Sequence, residues 1–495
     1  MTYTPYGQTT TTLLGAMQTE DEFTLNGCVT NSTAGNPLVD MFFQIGSMRG
    51  KSRQPIVDLM TAAFAVDQLD AMKLFFWSRD VRGGAGERQS FKTLLEFMSQ
   101  TPEYHNVLKH NLPLIPVYGR WDDLLVLFDT PLENDTLELI GKALTNREGL
   151  CAKWMPREKS SKKEIAQKIR KFMGLSPRKY RKLLSESTNV VETAMCAKDW
   201  SSISYSAVPS IAMKNYRNCF ERQDTSRWHT YLTALESGEE KVNASAIFPH
   251  DIVKSVLGNL DTISFQEKRL LNQQWLALPN YMEGNTKRIL PVVDTSGSMY
   301  SGYFESTTQL TPIHVSISLG LYIAERNEGP FKDHFMTFSE QPVIQKVVGS
   351  DIQAKLLSLK NADWGYNTNI QAVFDRILDT AIKWQVSAEQ LPTTVLILSD
   401  MEFDRAANPS DSAYQSISQK WEDAGYGQVL PEIIFWNLDA KSSNFPVKFD
   451  QKGTAMISGF SPSILKQVLN GSDITPQGIM RATIDSDRYS IITLP

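Results

Sequence analysis

RILPVVDTSGSM, residues 288–299, decides how the second half of the chain folds. An apolar, β-branched run that ends on Asp294 and passes into small polar residues reads as a buried strand feeding a tight turn. DHFMTFS (333–339), TTVLILSD (393–400), EIIFWNLD (432–439) and TAMISGF (454–460) are further short runs of this kind. HVSISLGLYIAERN (314–327), IQAVFDRILDTAIKW (370–384), AYQSISQKWEDA (413–424) and SPSILKQVL (461–469) carry helical spacing between or after them. Strands alternating with helices imply a mainly parallel sheet covered on both faces, so residues 285–495 are expected to form a doubly wound, Rossmann-like α/β domain. QPVIQKVV (341–348) fits an antiparallel edge strand. Ligands of such sheets bind beyond the carboxyl ends of the strands, where the polar clusters of this half fall.

The turn after the first strand is one such cluster. A hard cation takes oxygen ligands in near-octahedral order, and a DxSxS turn offers one carboxylate, Asp294, and two hydroxyls, Ser296 and Ser298. Ser-rich turns after strands are common, so the pentapeptide alone is only moderately specific. Two further elements strengthen it: Thr368 lies in WGYNTNI directly before a helix, and Asp400 ends the most strand-like run in the chain. Three loops would then converge on a divalent cation, Mg²⁺ first and Mn²⁺ as the alternative. Asp363, Glu402 and Asp404 add acidity nearby and are not assigned as ligands. Neither a histidine nor a paired carboxylate set that could serve as a general base accompanies the cluster, which points to binding rather than catalysis.

VVDTSGSM, the GxxTN turn and the LSD strand end resemble the metal-ion-dependent adhesion site of von Willebrand factor A domains. The resemblance implies that Ser296, Ser298 and Thr368 ligate the cation directly or through water. It implies that Asp294 and Asp400 supply charge and hydrogen-bond the bound water. It also implies an open coordination position that an Asp or Glu of a protein partner fills.

The first half reads differently. Residues 1–35, rich in Thr, Asn and Gly, are expected to be an extended arm or a docked edge segment. Residues 36–284 carry apolar positions at spacings of three and four in PLVDMFFQIGSM, the long VDLMTAAFAVDQLDAMKLFFW, RQSFKTLLEFM, DDLLVLF, EIAQKIRKFM, PRKYRKLLS and SRWHTYLTALES, the pattern of helices packed in pairs. No period of 30 to 50 residues is visible, so a helical solenoid is a structural expectation rather than a detected repeat. In RDVRGGAGER (79–88) the preceding strand and Gly-Lys-Ser/Thr ending of a phosphate loop are missing, which leaves a glycine helix stop, with Arg79, Arg82 and Arg88 as candidate RNA-phosphate contacts. In YGRWDDLLVLF, Asp122 or Asp123 fits the first turn of a helix, with a structural role.

Charge is unevenly spread. The formal net charge is −5, yet residues 153–182 hold twelve Lys or Arg against Glu158 and Glu164, a local +10 that leaves −15 elsewhere. Within this segment Ile165, Ile169, Phe172 and Met173 are expected to form one buried stripe. Gly174 stops the helix, Ser176 caps the next and Pro177 takes its first position. The resulting helix-turn-helix carries Lys162, Lys163, Lys168, Arg170, Lys171, Arg178, Lys179, Arg181 and Lys182 as candidate RNA-binding residues. The same unit can place a helix in a DNA major groove, and it is also how helical-repeat proteins are built.

Composition narrows the class. The chain of 495 residues is 41% hydrophobic and 21% charged, as expected of two to four globular domains. A run of about 18 apolar residues is absent, so no membrane span is expected, and MTYTPYGQTTTTLLGAM lacks the features of a secretory signal, so the expected location is cytoplasmic. Cys28, Cys151, Cys196 and Cys219 form no CxxC pair, and six scattered histidines give little support to a zinc site.

NGCVTNSTAGNPLVDMFF, FFWSRDVRGGAGER, YGRWDDLL, KWMPRE and WSSISYSAVPSIAMKNY, followed by the cation-binding half, together resemble a family related to the TROVE module of the Ro ribonucleoprotein. The resemblance spans about residues 25–460. It implies HEAT-type helices in a ring closed by a von Willebrand A domain, with structured or misfolded RNA as the partner. The expected function is non-enzymatic RNA binding. The rivals are a metal-dependent protein adaptor without nucleic acid and a DNA-binding helix-turn-helix protein.

Overall fold

In the computed structural model, which describes residues 22–188, 190–244, 246–300, 310–338, 342–360, 368–405, 412–440, 444–471 and 474–495, the apolar runs after residue 285 pair into one six-stranded sheet. Its strands are β1 (Ile289–Val293), β2 (His334–Thr337), β3 (Ile344–Lys346), β4 (Thr394–Ser399), β5 (Glu432–Asn437) and β6 (Thr454–Ser458), in the order β3-β2-β1-β4-β5-β6. All neighbours are parallel except the edge strand β3, which runs antiparallel to β2. β1, β4 and β6 are buried at every residue, as strands covered on both faces require. The chain winds one way from β1 to β2 and returns to place β4 on the other side of β1. The order therefore reverses between β1 and β4, and a crevice opens beyond their carboxyl ends.

The first half is helical, with two departures from the sequence reading. PLVDMFFQIGSM does not form an amphipathic surface helix. Helix Pro37–Gln44 is buried at every residue, because it packs against helices Arg53–Val66 and Gln68–Arg79 on one side and against β6 and helix Pro476–Ile484 on the other. Its Asp40, pushed up to about 6 by burial, accepts from the Thr33 hydroxyl and from the Ala34 N–H at 2.8 Å. The long helix expected over VDLMTAAFAVDQLDAMKLFFW is two helices, Arg53–Val66 and Gln68–Arg79. Asp67 adopts an extended conformation between them, and its carboxylate accepts from the Asp70 N–H at 2.8 Å, capping the second helix.

Both ends of the helical half rest on the α/β half. At the first end, helices Pro37–Gln44 and Gln68–Arg79 meet helix Pro476–Ile484; at the second, helices Pro249–Leu257 and Phe265–Leu276 meet helices Pro312–Arg326 and Ile352–Lys360. The glycine loop after Arg79 makes the first junction. A Cβ on Gly84 would lie 2.0 Å from the Trp77 carbonyl oxygen, one on Gly83 2.6 Å from Arg488, and one on Gly459 2.8 Å from Ala85. Only glycines allow these approaches. Through them Asp80 takes Arg488 at 2.5 Å and the Tyr489 hydroxyl at 3.1 Å, while the Tyr118 hydroxyl donates to the Arg488 carbonyl at 2.6 Å. The loop thus joins two halves of the protein. Helices Ser210–Gln223 and Thr225–Ser237 have a core of their own around Tyr205, Phe220, Trp228 and Tyr231.

His250 sits at the second junction, buried, between the stacked ring of Phe248 and the edge of Phe460. Burial holds its pKa down to about 4, against the pull of Asp251 and with smaller effects of Arg49, Lys214 and His314 in the same direction as burial. A histidine whose folded pKa is depressed contributes stability above its unfolded pKa near 6.5, and the contribution is lost as pH falls toward 4. Burial also lowers His314, and burial raises Asp40, so only a difference between variants isolates one group. The stability of His250→Phe relative to the unmodified protein should therefore rise by about 2 to 3 kcal/mol between pH 7 and pH 4.5. Chemical denaturation at both pH values measures this, and a pH-independent difference would contradict it.

Candidate metal centre and nucleic-acid interface

Asp294 follows β1 and Asp400 follows β4, so the β1–β4 pairing sets the two carboxylates side by side at the point where the strand order reverses. Asp294 is 0% and Asp400 2% exposed. The backbone N–H of Asp294 bonds to the Leu398 carbonyl at 3.0 Å, which locks the turn to the neighbouring strand. The Asp294 carboxylate accepts from the Ser296 N–H at 2.9 Å and from the Ser399 hydroxyl at 2.5 Å. Ser316 donates to the Asp294 carbonyl at 3.0 Å. Ser296 and Ser298 face each other with their hydroxyl oxygens 2.9 Å apart.

Thr368 joins this group through Glu402. Its hydroxyl lies 2.6 Å from the Glu402 carbonyl and 3.1 Å from Asp404 Oδ1, and its N–H donates to Asp404 Oδ2 at 3.0 Å. The Glu402 N–H reaches Asp400 Oδ1 at 3.3 Å. The five residues selected from sequence are thus linked by short polar contacts and by the proximity of Asp294 to Asp400. Asp363 and the Trp-Gly-Tyr-Asn part of WGYNTNI lie outside the described residues.

The donor set fits a hard divalent cation. Burial, and next the charge of Asp400 beside it, push the Asp294 carboxyl up to about 7. Two carboxylates held this close away from water favour a positive ion between them, and the hydroxyls of Ser296, Ser298 and Thr368 supply further oxygen atoms. Among the described residues no three His, Cys, Asp or Glu side chains gather into a metal-ligating group, so the set depends on hydroxyl ligands beside its two acids.

Ser399, Ser316 and Asn26 went unnoticed in sequence, and Glu402 was noted there only for its acidity. Ser399 and Ser316 occur in apolar runs where a serine gives no functional signal. Glu402 is buried, and its carboxylate accepts from the Leu25 N–H at 2.7 Å and from Asn444 Nδ2 at 3.0 Å. Asn26 donates to Thr368 Oγ1 at 2.9 Å and to the Glu402 carbonyl at 2.7 Å. No local pattern points to partners more than 340 residues away.

The basic candidates divide into two groups. Helices Lys163–Phe172 and Pro177–Ser187 form as expected, with Gly174 at φ +63° and the Ser176 hydroxyl accepting from the Lys179 N–H at 3.3 Å. Lys162, Lys163, Lys171, Arg178, Lys179 and Arg181 are exposed. Lys182 is exposed and lies 3.4 Å from Glu186. The others are engaged. Lys168 pairs with Asp129 and, at 2.8 Å, with Glu133; Arg170 pairs with Glu158 at 2.8 Å and donates to the Leu175 carbonyl. Phe172, expected in the buried stripe, is 48% exposed, with its ring edge against Gly141.

The glycine-loop arginines require a correction. Arg79 is buried and pairs with Asp123 at 2.8 Å, so it cannot reach a phosphate. Arg88 pairs with Asp122 and lies 3.5 Å from Asp123, and only Arg82 is exposed. Asp123 also accepts from the Arg120 N–H at 3.0 Å at the start of a 3₁₀ helix, Trp121–Leu127, where sequence suggested an α-helix. Cys28 and Cys151 are buried, Cys196 is exposed, and none of the four cysteines forms a disulfide. Among the described residues no helix is long and apolar enough to cross a membrane.

Comparison with known proteins follows the same division of the chain. Residues 24–115 and 134–287 match the family described as Domain of unknown function (DUF2828), and residues 288–488 match Domain of unknown function (DUF7788). The boundary at 287/288 falls between helix Phe265–Leu276 and β1. The chain is similar to Uncharacterized protein L728 of Acanthamoeba polyphaga mimivirus, with 29% identity over 513 residues that cover 92% of this chain and 86% of that protein.

Ser399→Ala should leave one buried oxygen of Asp294 without its donor and the Met401 N–H without the hydroxyl that it meets at 3.1 Å. Loss of a hydrogen bond to a charged acceptor costs about 1.5 to 3 kcal/mol. Chemical denaturation of the full chain in EDTA is expected to show that loss, and an unchanged midpoint would contradict it.

Proposed function

We propose that this chain is a non-enzymatic RNA-binding protein of Ro-like type. HEAT-type helices would form a ring closed by a von Willebrand A domain, which holds Mg²⁺ or Mn²⁺ through Asp294, Ser296, Ser298, Thr368 and Asp400. The observation that carries the reading is the two-helix unit 163–187. Lys162, Lys163, Lys171, Arg178, Lys179 and Arg181 are exposed there, and none makes an ion pair among the described residues. Phosphates of structured or misfolded RNA supply the missing counter-charge. Attachment of both ends of the helical half to the α/β half supports a closed ring. Lys168, Arg170 and Lys182 contribute less, since RNA would have to compete with Glu133, Glu158 and Glu186 for them. The cell compartment consistent with this reading is the cytoplasm.

A second reading is a metal-dependent adaptor that grips an Asp or Glu of a protein partner. One observation favours it: the rim of the cation site already accommodates a polypeptide segment, residues 24–27 of the chain itself.

Filter binding separates the readings. Lys171→Glu, Arg178→Glu, Lys179→Glu and Arg181→Glu combined should weaken RNA binding strongly and lower the slope of log affinity against log salt by about three to four. Structured RNA with a single-stranded 3′ tail should bind better than blunt RNA or duplex DNA. Preference for duplex DNA would favour the helix-turn-helix alternative, and no binding to any of the three at low salt defeats the RNA reading. Asp294→Ala is expected to abolish Mg²⁺ or Mn²⁺ binding, read by calorimetry on the full chain, while the helical half stays folded. Unchanged cation affinity in that variant removes the metal assignment.

A further inference from the structure

Residues 22–31 cross from the far end of the chain onto the loops that carry Thr368 and Glu402. Glu22–Phe23 and Val29–Thr30 pair as a short hairpin, with Gly27 in its turn at φ +84° and its N–H on the Thr24 carbonyl at 2.9 Å. Bridges from Gly27 to Asp404, Val29 to Ser412 and Asn31 to Phe445 fix the segment on the α/β half. Within that frame the Thr24 hydroxyl donates to the Phe403 carbonyl at 2.6 Å, the Leu25 N–H to Glu402, and Asn26 Nδ2 to both Thr368 and the Glu402 carbonyl.

How the segment is held matters more than that it is held. Leu25 is 78% and Phe23 54% exposed, so the tip gains little from apolar burial and depends on its hydrogen bonds, whereas Cys28 is buried behind it. Few buried apolar contacts and polar attachment are the marks of an element that opens at low cost in free energy. The tip is also electrically neutral: Thr24, Leu25, Asn26 and Gly27 bring no charge to a site with two buried carboxylates. A hydroxyl has one proton and two lone pairs. Thr368 has Glu402 and Asp404 as acceptors for its proton and gives one lone pair to Asn26, which removes half of the acceptor capacity that a cation or its bound water would use.

We propose that Thr24–Gly27 is an intramolecular strap over the cation site, a neutral tethered occupant of the rim that cation binding displaces. The proposal rests on the cation reading of Asp294, Ser296, Ser298, Thr368 and Asp400. Because the strap satisfies site oxygens without neutralising the carboxylates, strap docking and cation binding oppose one another, and linkage makes the opposition reciprocal.

The test uses the full chain with Mn²⁺ as the probe, its affinity read by electron paramagnetic resonance and the strap read by amide hydrogen exchange over residues 24–31. Asn26→Ala removes the contacts to Thr368 and to the Glu402 carbonyl. Thr24→Val loosens the same segment without touching Thr368, so the test does not depend on one variant. Each should bind Mn²⁺ about 5- to 20-fold tighter than the unmodified protein. In the unmodified protein the strap amides should exchange faster with Mn²⁺ than in EDTA. Affinities in both variants within twofold of the unmodified protein, or weaker, overturn the strap, as does stronger protection of the segment with Mn²⁺. Failure of the cation reading has a separate signature: neither the unmodified protein nor the variants bind Mn²⁺, while Asn26→Ala still speeds exchange of the segment. That result also overturns the proposal.

Discussion

Two acids buried side by side where β1 and β4 end are the constraint around which the α/β half is organised. Asp294 and Asp400 are shielded from water, and each needs donors or a positive charge to offset the loss of hydration. Much of the surrounding structure answers that need: Ser296 and Ser399 donate to Asp294, and the Glu402 N–H reaches Asp400. The strand order places the pair at the one crevice that a doubly wound sheet opens for ligands.

The α/β half is also the base to which the rest of the chain is fixed. Residues 22–31 lie on the loops that carry Thr368 and Glu402, the next helix is buried against β6, and the last helices of the first half pack on helix Pro312–Arg326. The C-terminal tail returns the connection, with Arg488 and Tyr489 on Asp80 of the glycine loop. A disturbance at these loops therefore has a physical route into the helical half through residues 22–44.

Ion pairing sets how much of the basic segment can act on a polyanion. The local excess of ten positive charges overstates the available field, because Asp129, Glu133 and Glu186, outside the segment, lie within pairing distance of Lys168 and Lys182. Seven exposed cations of the segment, Lys159 and the six named above, make no ion pair among the described residues, a surface sufficient for several phosphate contacts. Arg79 and Arg88 pair with Asp122 and Asp123 within the helical half, so their charge is already matched there.

The sequence by itself determined what depends on local chemistry. Apolar runs and helical spacing specified the alternating strands and helices after residue 285 and the antiparallel edge strand. Gly174, Ser176 and Pro177 specified the turn between the basic helices. That Asp294, Ser296, Ser298, Thr368 and Asp400 fall in one cluster was legible because they stand at or just after a strand end or before a helix start, where local pattern and position coincide. Contacts distant in sequence were decided only by the tertiary structure. Helix Pro37–Gln44 is buried on every side because separate elements close over it, and no periodicity within eight residues can encode that. Arg79 looked available to a phosphate until Asp123, 44 residues on, was brought against it. Asn26 had no visible role until the fold carried it onto Thr368, since hydrogen-bond donors and acceptors act over about 3 Å of space regardless of their separation along the chain.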